Sequence, residues 1–500
     1  MTHSDGAVHA PSSHSGSDAP RWYIGALGFA MAMIFLVKNS FGPAAAGWLL
    51  ILGVVATFTT AHKVFPLAGA GVLTIWGLLL GLTTVQAWEH EIEANVKVLL
   101  LIACMVPAIH FFKDLLEASF TAILVKIKKK VNLAFAFYAF GAVSSAFFDA
   151  LTVAAMVLTA LGGMYLTYES VRHAAEMKAA SDIGDIEVRK KLDDFRAFLR
   201  QLLMVLLVGT MTGGLTTLVG EPQNYQVGQM WGWGFQDYFV RMLPISAPVL
   251  LGGLGVTWLV EGTPVGRIFG YGTELPVSIR SYLTLQSTEQ ALRRTPTELL
   301  HLKVQAVAGL LLVVALGLQL ASIGLLGLIT MIIVSTAMGR VAETRYVPAY
   351  HAAMPFFALL LVFFGAVSII HEQHLFEGLM RWIVSLPEGT RLLAMFVETG
   401  MVSSVSDNVF VACAHASNVQ KLMTDGTLDA AAGDKLAIAI IAGTNIVSIA
   451  TPNGQAAFLL AICSETAAHL QLRYVRMLWM AFPYTVVLSI IGGVAVSRWI

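Results

Sequence analysis

Two aspartates stand where a carboxylate is costly to keep. Asp149 is the only ionisable carboxylate in the apolar stretch Leu133–Leu166, and it follows Ser144 and Ser145. Asp407, beside Asn408 and just after Ser403 and Ser404, sits within a second such stretch, Leu392–Val419, with Glu398 earlier. A third acid, Glu221, falls in the Gly/Thr-rich run Gly213–Asn224, directly before Pro222. A similar run, Gly443–Gln455, carries Thr451 before Pro452, and this reading pairs Thr451 with Glu221. A carboxylate inside hydrocarbon costs several kcal/mol unless it is paired, hydrated or ion-bound. Carboxylate, hydroxyl and carbonyl oxygens are the ligands a hard cation prefers. Desolvation also strengthens the hold of a carboxylate on a proton. One such group can therefore take a metal cation or a proton, in competition.

Blander roles exist for each residue. An aspartate beside a serine often caps a helix N-terminus, a role open to Asp149 and more so to Asp407. Glu398 lies seven residues after Arg391 and can be interfacial, whereas Glu465 and His469 suit a solvated or snorkelling position. His110, His351 and His415 could sense pH, although burial with a hydrogen-bond partner, or plain exposure, is the better reading of each. Trp231, Trp233 and Tyr238 read as an interfacial aromatic belt. Cys104, Cys413 and Cys463 are isolated, with neither zinc-ligand nor disulfide spacing.

The elements that hold these residues must be membrane helices. Of 500 residues, 57% are hydrophobic and only 12% charged, with mean hydropathy +0.73; soluble chains carry roughly 25% charged residues. Apolar runs such as Leu302–Leu320, Met354–Ile370 and Met477–Val496 approach the roughly 20 residues a spanning helix needs, and they lack the alternation of barrel strands. Zero net charge offers no electrostatic footprint for nucleic acid.

The expected fold class is an all-α polytopic membrane protein with about eleven transmembrane helices and two re-entrant hairpins. Residues 1–20 read as a disordered cytoplasmic tail and 22–40 as an extra N-terminal spanning helix. A first repeat covers 42–260, with hairpin 133–166, cytoplasmic insert 169–198 and broken helix 200–235. In the insert, Val188, Leu192, Phe195 and Leu199 predict an amphipathic helix beginning after Gly184. A cytoplasmic loop, 261–300, leads to a second repeat, 301–500, with hairpin 389–419 and broken helix 434–470. Placing the basic clusters Lys128–Lys130, Arg189–Lys191 and Arg293–Arg294 inside leaves acids such as Glu89, Glu91, Glu93, Glu372 and Glu377 outside. The N-terminus is then cytoplasmic, the C-terminus periplasmic, and the two halves inverted. Matched helix breaks in inverted repeats mark the midplane site of a secondary transporter, because freed backbone and half-helix ends can serve as ion ligands there.

Four segments carry a family likeness: Phe147–Thr152, Val219–Asn224, Asp407–Val411 and, most specifically, Thr451–Phe458. They closely resemble the bacterial NhaB sodium/proton antiporters, and more distantly the ion transporter superfamily that includes anion/sodium symporters and arsenite exporters. The resemblance implies an electrogenic antiporter of the bacterial cell inner membrane that expels sodium, and by extension lithium, in exchange for protons. It implies no cofactor beyond the transported ions, a homodimer, and elevator-type scaffold and transport domains. By analogy one cation site would use Ser144, Ser145, Asp149, Gly220, Glu221 and Asn224. The other would use Ser403, Ser404, Asp407, Asn408, Thr451 and Asn453, with sodium at Asp149 and Asp407.

Two rival readings remain. An anion or oxyanion carrier of the same fold would need positive charge at the breaks, and these runs hold no Lys or Arg. An intramembrane aspartyl protease would need two carboxylates on one water, which two matched hairpin-and-break pairs exceed.

Overall fold

The computed structural model describes residues 20–60, 64–176, 184–275, 279–281, 284–285, 288–289 and 293–500, without the side chains of 170–176, 184–189 and 352. The expected tail therefore lies outside the described residues except for Pro20, as do parts of the insert and of the inter-repeat loop. All regular structure among the described residues is helical. Nine helices there are long and apolar enough to cross a bilayer, or ten if the bent pair Val85–Ala94 and Val96–His110 counts as one. The protein is thus an all-α polytopic membrane protein. Large apolar side chains on its outer helices face outward, among them Phe29, Leu251, Leu310 and Ile490, each at least 62% exposed, where lipid in place of water removes the cost.

The span count differs from the expected eleven for a reason of length. Helices Pro43–Thr59, Pro66–Leu79 and Ile323–Ala337 have 17, 14 and 15 residues, against the roughly 20 that match a 30 Å hydrocarbon core. Conversely, both arms of the first hairpin, Lys130–Phe147 and Ala150–Glu169, are long enough to count. Three helices fall where loops were expected: Val85–Ala94, Lys113–Lys126 and Glu377–Ser385. The helix foreseen in the insert is described from Gly184 and runs unbroken to Gly214, so it is also the first half of the broken helix.

The two halves are built alike around the hairpins. In the first, arm Lys130–Phe147 lies along helix Gly184–Gly214; in the second, arm Glu388–Val405 lies along helix Ala430–Ile446. Missing side chains permit this approach: a Cβ on Gly209 would stand 2.3 Å from the Tyr138 carbonyl oxygen, and one on Gly443 2.4 Å from that of Phe396. The second arms cross over. Ala150–Glu176 packs against Ala456–Cys463, the far half of the second broken helix, while Asn408–Thr424 packs against Pro222–Met230, the far half of the first. Each hairpin thereby touches the break of both halves, and the long helices Phe235–Gly262 and Tyr474–Arg498 pack together behind them.

Candidate ion site

Both hairpin tips are short extended links between helices. Phe148 (φ −123°, ψ 144°) ends the first arm of one, and Ser406 (φ −129°, ψ −172°) ends the first arm of the other. The following aspartate caps the next helix in each case. Asp149 Oδ2 accepts from the Thr152 amide at 3.1 Å and the Thr152 hydroxyl at 3.4 Å. Asp407 Oδ1 accepts from the amides of Val409 and Phe410 at 2.9 and 3.1 Å, leaving Oδ2 outside the cap. Capping and ion binding do not exclude each other, because a carboxylate offers about four lone-pair sites.

Each tip is fastened to its break by one threonine. Thr217 donates to the Ala146 carbonyl and accepts from the Gly220 amide. Thr451 donates to the Ser404 carbonyl and accepts from the amides of Asn453 and Gly454. The geometric partner of Thr451 is therefore Thr217, which corrects the sequence pairing of Thr451 with Glu221. Glu221 instead matches Gln455: both are extended residues that start the far half-helix (φ −146°, ψ 140° and φ −138°, ψ 123°).

Around the first break, oxygens converge without partners. A Cβ on Gly214 would lie 3.1 Å from Ser145 Oγ, 3.1 Å from Glu221 Cγ and 3.2 Å from the Gly220 carbonyl oxygen, so the glycine keeps a small cradle open. Ser145 Oγ and Glu221 Oε1 are buried there with no hydrogen-bond partner. The carboxylates that act on Glu221 are Asp149 and Asp407, so the three acids share one electrostatic neighbourhood. Orphaned buried acceptors are costly, and a carboxylate repelled by two others is costlier; a bound cation or proton relieves both. Among the described residues no three His, Cys, Asp or Glu side chains are close enough to share one metal ion, so any cation held here takes much of its shell from hydroxyl, amide and carbonyl oxygens.

The other predicted ligands divide. Ser144 is buried beside Ser145, and its carbonyl holds the Phe148 amide at 2.7 Å. Asn224 is fully engaged: its amide donates to the Gly214 and Thr217 carbonyls at 2.8 and 2.9 Å, and its oxygen accepts from Asn445 at 2.9 Å. It braces the break. Ser403 is bonded to Asn408, and Ser404 to the carbonyls of Gly400 (2.8 Å) and Val447 (3.2 Å). In the second break the unpartnered buried oxygens are Asn453 Oδ1 and Ser406 Oγ. Gln455 is spent internally, donating to the Asn445 carbonyl at 3.0 Å and Ser448 Oγ at 2.8 Å.

Sequence reasoning missed Thr217, Gln455, Ser406 and the bridge between halves, in which Gln223 also donates to Asn445, at 3.2 Å. Laying Gly220-Glu221-Pro222 over Gly454-Gln455-Ala456 would have found the first two. Glu398 is not simply interfacial: its Oε2 lies 2.7 Å from Nε2 of the fully buried His415, whose Nδ1 is 2.8 Å from the Val411 carbonyl. His351 and Glu465 are exposed.

Residues 12–499 match the family described as bacterial Na+/H+ antiporter B, NhaB. The chain belongs to the NhaB family. It is 42% identical over 487 residues to a Pseudomonas putida protein named Na(+)/H(+) antiporter NhaB, covering 96% of this chain and 97% of the relative. Similarly named proteins of Hahella chejuensis and Marinobacter nauticus are 41% and 40% identical, covering 96% and 95% of each chain. NhaB family membership makes the protein a secondary transporter rather than an enzyme. It also gives the three acids a setting, in a family named for sodium/proton exchange.

Proposed function

We propose that this protein exchanges sodium for protons across the bacterial inner membrane, at the cradle between the first hairpin tip and the first break. The observation that carries this reading is the buried, unpartnered Ser145 Oγ and Glu221 Oε1, in the neighbourhood of Asp149. In the proposed cycle, sodium binds to Asp149, Ser145, Glu221 and the Gly220 carbonyl after their carboxyls release protons. Protons rebind when the site faces the side of higher proton concentration. Asp407, Asn453 and Thr451 form a second cation position that shares the neighbourhood. Lithium, with the same charge and oxygen preference, is an alternative cargo. Exchange of more protons than sodium ions makes the cycle electrogenic.

The positive-inside distribution supports a cytoplasmic N-terminus and a periplasmic C-terminus, and the cross-packed halves support inverted repeats. A homodimer with a scaffold and a moving transport domain completes the proposal on family likeness. An anion carrier is not favoured, because Gly213–Asn224 and Gly443–Gln455 contain no cationic side chain.

The test is proton flux in proteoliposomes holding the purified full-length protein and an imposed pH gradient. Added sodium or lithium is expected to dissipate the gradient faster than potassium or citrate. No proton movement with any alkali cation would overturn the reading.

A further inference from the structure

A cavity of about 750 Å³ opens where the acidic segment Glu89–Glu93 meets Glu372. Its walls come from Thr84–Asn95, from Ser368, His371 and Glu372 on helix Glu343–Glu372, and from Met230, Ser417 and Gln420. Those last three belong to the half-helix that starts at Glu221 and to the second hairpin, so the cavity lies between the site-bearing elements and the helices around them.

Glu91 lines this cavity, largely buried, with Oε1 held 2.7 Å from His371 Nδ1. The side chains are 12% and 29% exposed. Charged and titratable neighbours are His90 and Glu372 in the same wall, His374 and Lys421 in the adjoining recess, and the Cys413 thiol on the second hairpin. Behind Glu91 the chain bends by 60° at Asn95. Asn95 donates to the Glu91 carbonyl at 2.9 Å and accepts from Gln226 at 3.0 Å. Gln226, Asn224 and Gln223 are buried amides of the nine-residue helix Pro222–Met230. Glu221 directly precedes that helix, without a capping hydrogen bond from its side chain, five residues from Gln226, which is about 7.5 Å along its axis. Gln226 thus ties the helix to the bend at Asn95 and leaves its own Oε1 buried and unpartnered, whereas Gln223 and Asn224 bond to Asn445 on the side of the break. A buried amide oxygen without a partner is costly unless it carries water or an ion.

We propose that this cavity is the outer proton entrance of the transporter and that Glu91 is its relay, with His371 as the positioning residue. The proposal rests on the sodium/proton reading above. His371 donates Nδ1–H to Oε1 of Glu91 and keeps the carboxylate facing the cavity. The second carboxylate oxygen accepts a proton from hydronium, leaving water. It releases that proton inward to water held by Asn95 and Gln226, which delivers it to the Glu221 carboxylate. Each transfer breaks one O–H bond and forms another, and Glu91 returns to its starting charge. Sodium needs no such relay and passes through the same opening.

The experiment compares wild type, Glu91→Gln, Glu91→Asp and His371→Gln in proteoliposomes, measuring sodium-driven proton flux against external pH and, separately, proton-free 22Na+/Na+ exchange. Glu91→Gln is expected to lower proton flux roughly tenfold, less than the loss of an acid–base group at reacting atoms because water offers a bypass. The deficit should grow as external pH rises and protons become scarce. Sodium self-exchange should persist, which also reports correct folding; Glu91→Asp should restore most of the flux, and His371→Gln should shift the pH profile with a smaller loss. A Glu91→Gln protein with the wild-type rate and pH profile would overturn the relay, as would equal loss of sodium self-exchange. Absence of sodium-driven flux in the wild type would instead overturn the sodium/proton reading itself.

Discussion

The two helix breaks share a frame and differ in what the frame holds. Both are fastened by a threonine to a hairpin carbonyl, Thr217 to Ala146 and Thr451 to Ser404, and both face an aspartate that caps the next helix. At the start of the far half-helix, however, the first break has Glu221 with an orphaned oxygen, whereas the second has Gln455 with its amide satisfied. The first break also keeps an open cradle at Gly214, and the serine facing it, Ser145, is unbonded. In the second, Ser403 and Ser404 are bonded, and the unpartnered oxygens are Asn453 Oδ1 and Ser406 Oγ. On the proposed reading, one half of a duplicated scaffold exchanges charge and the other mainly fixes geometry and adds one carboxylate.

The sharpest way to break this comparison is to make the first break copy the second. Glu221→Gln puts an amide at the Gln455 position, and sodium-driven proton flux is expected to fall by about 100-fold or more, the scale of a lost acid–base group. Near-wild-type flux would show that Glu221 is a buried structural acid. Asp407→Asn acts on the second break and should be milder: the cap survives, because an amide oxygen still accepts from Val409 and Phe410. Apparent sodium affinity is expected to drop about tenfold, equivalent to about 1.4 kcal/mol, with maximal flux kept. An unchanged sodium dependence would remove Asp407 from the mechanism.

Gly214→Ala tests the cradle by filling it, since the new Cβ would meet Ser145 Oγ and Glu221 Cγ at 3.1 Å. A severalfold weaker sodium affinity at unchanged potassium insensitivity is expected; wild-type affinity would show that the cation sits elsewhere. The smallest effect concerns how the second hairpin is tethered outside the candidate spans. Lys421 lies 2.7 Å from Glu377 and holds that carboxyl below its ordinary value of 4.5. A lowered carboxyl contributes stability above its ordinary value and loses it as pH falls through the lowered one. The pair is partly exposed, so Glu377→Gln should cost under about 1 kcal/mol, read as a small fall in the thermal midpoint at neutral pH and none at strongly acidic pH. A large fall would mean the tether matters more than its exposure allows.

Hydropathy made the helices, both hairpins and both breaks legible, because hydrocarbon forces a polar tip or a proline break to stand out. It also singled out Asp149, Asp407 and Glu221, the charges hardest to explain in apolar stretches. It did not reveal what depends on distant contacts. Asn445 bridges to Asn224 and Gln223 more than 200 residues away, and Glu91 reads as a loop acid until the fold buries it against His371, 280 residues on. Matching Thr451 to Glu221 failed because proline was used as the register mark, although proline sits one residue after Glu221 in one break and three residues before Gln455 in the other. Short helices such as Pro66–Leu79 mislead in the opposite way: they are as apolar as a span but too short to be one without bilayer thinning.

Calorimetric titration of sodium chloride into the purified protein, with Asp149→Asn and Asp407→Asn alongside wild type, tests the division of labour most directly. Binding heat with proton release is expected in wild type, weakened binding in Asp407→Asn, and no binding in Asp149→Asn while that protein remains monodisperse. Sodium binding by Asp149→Asn with wild-type affinity and proton release would contradict the assignment of exchange to the first break.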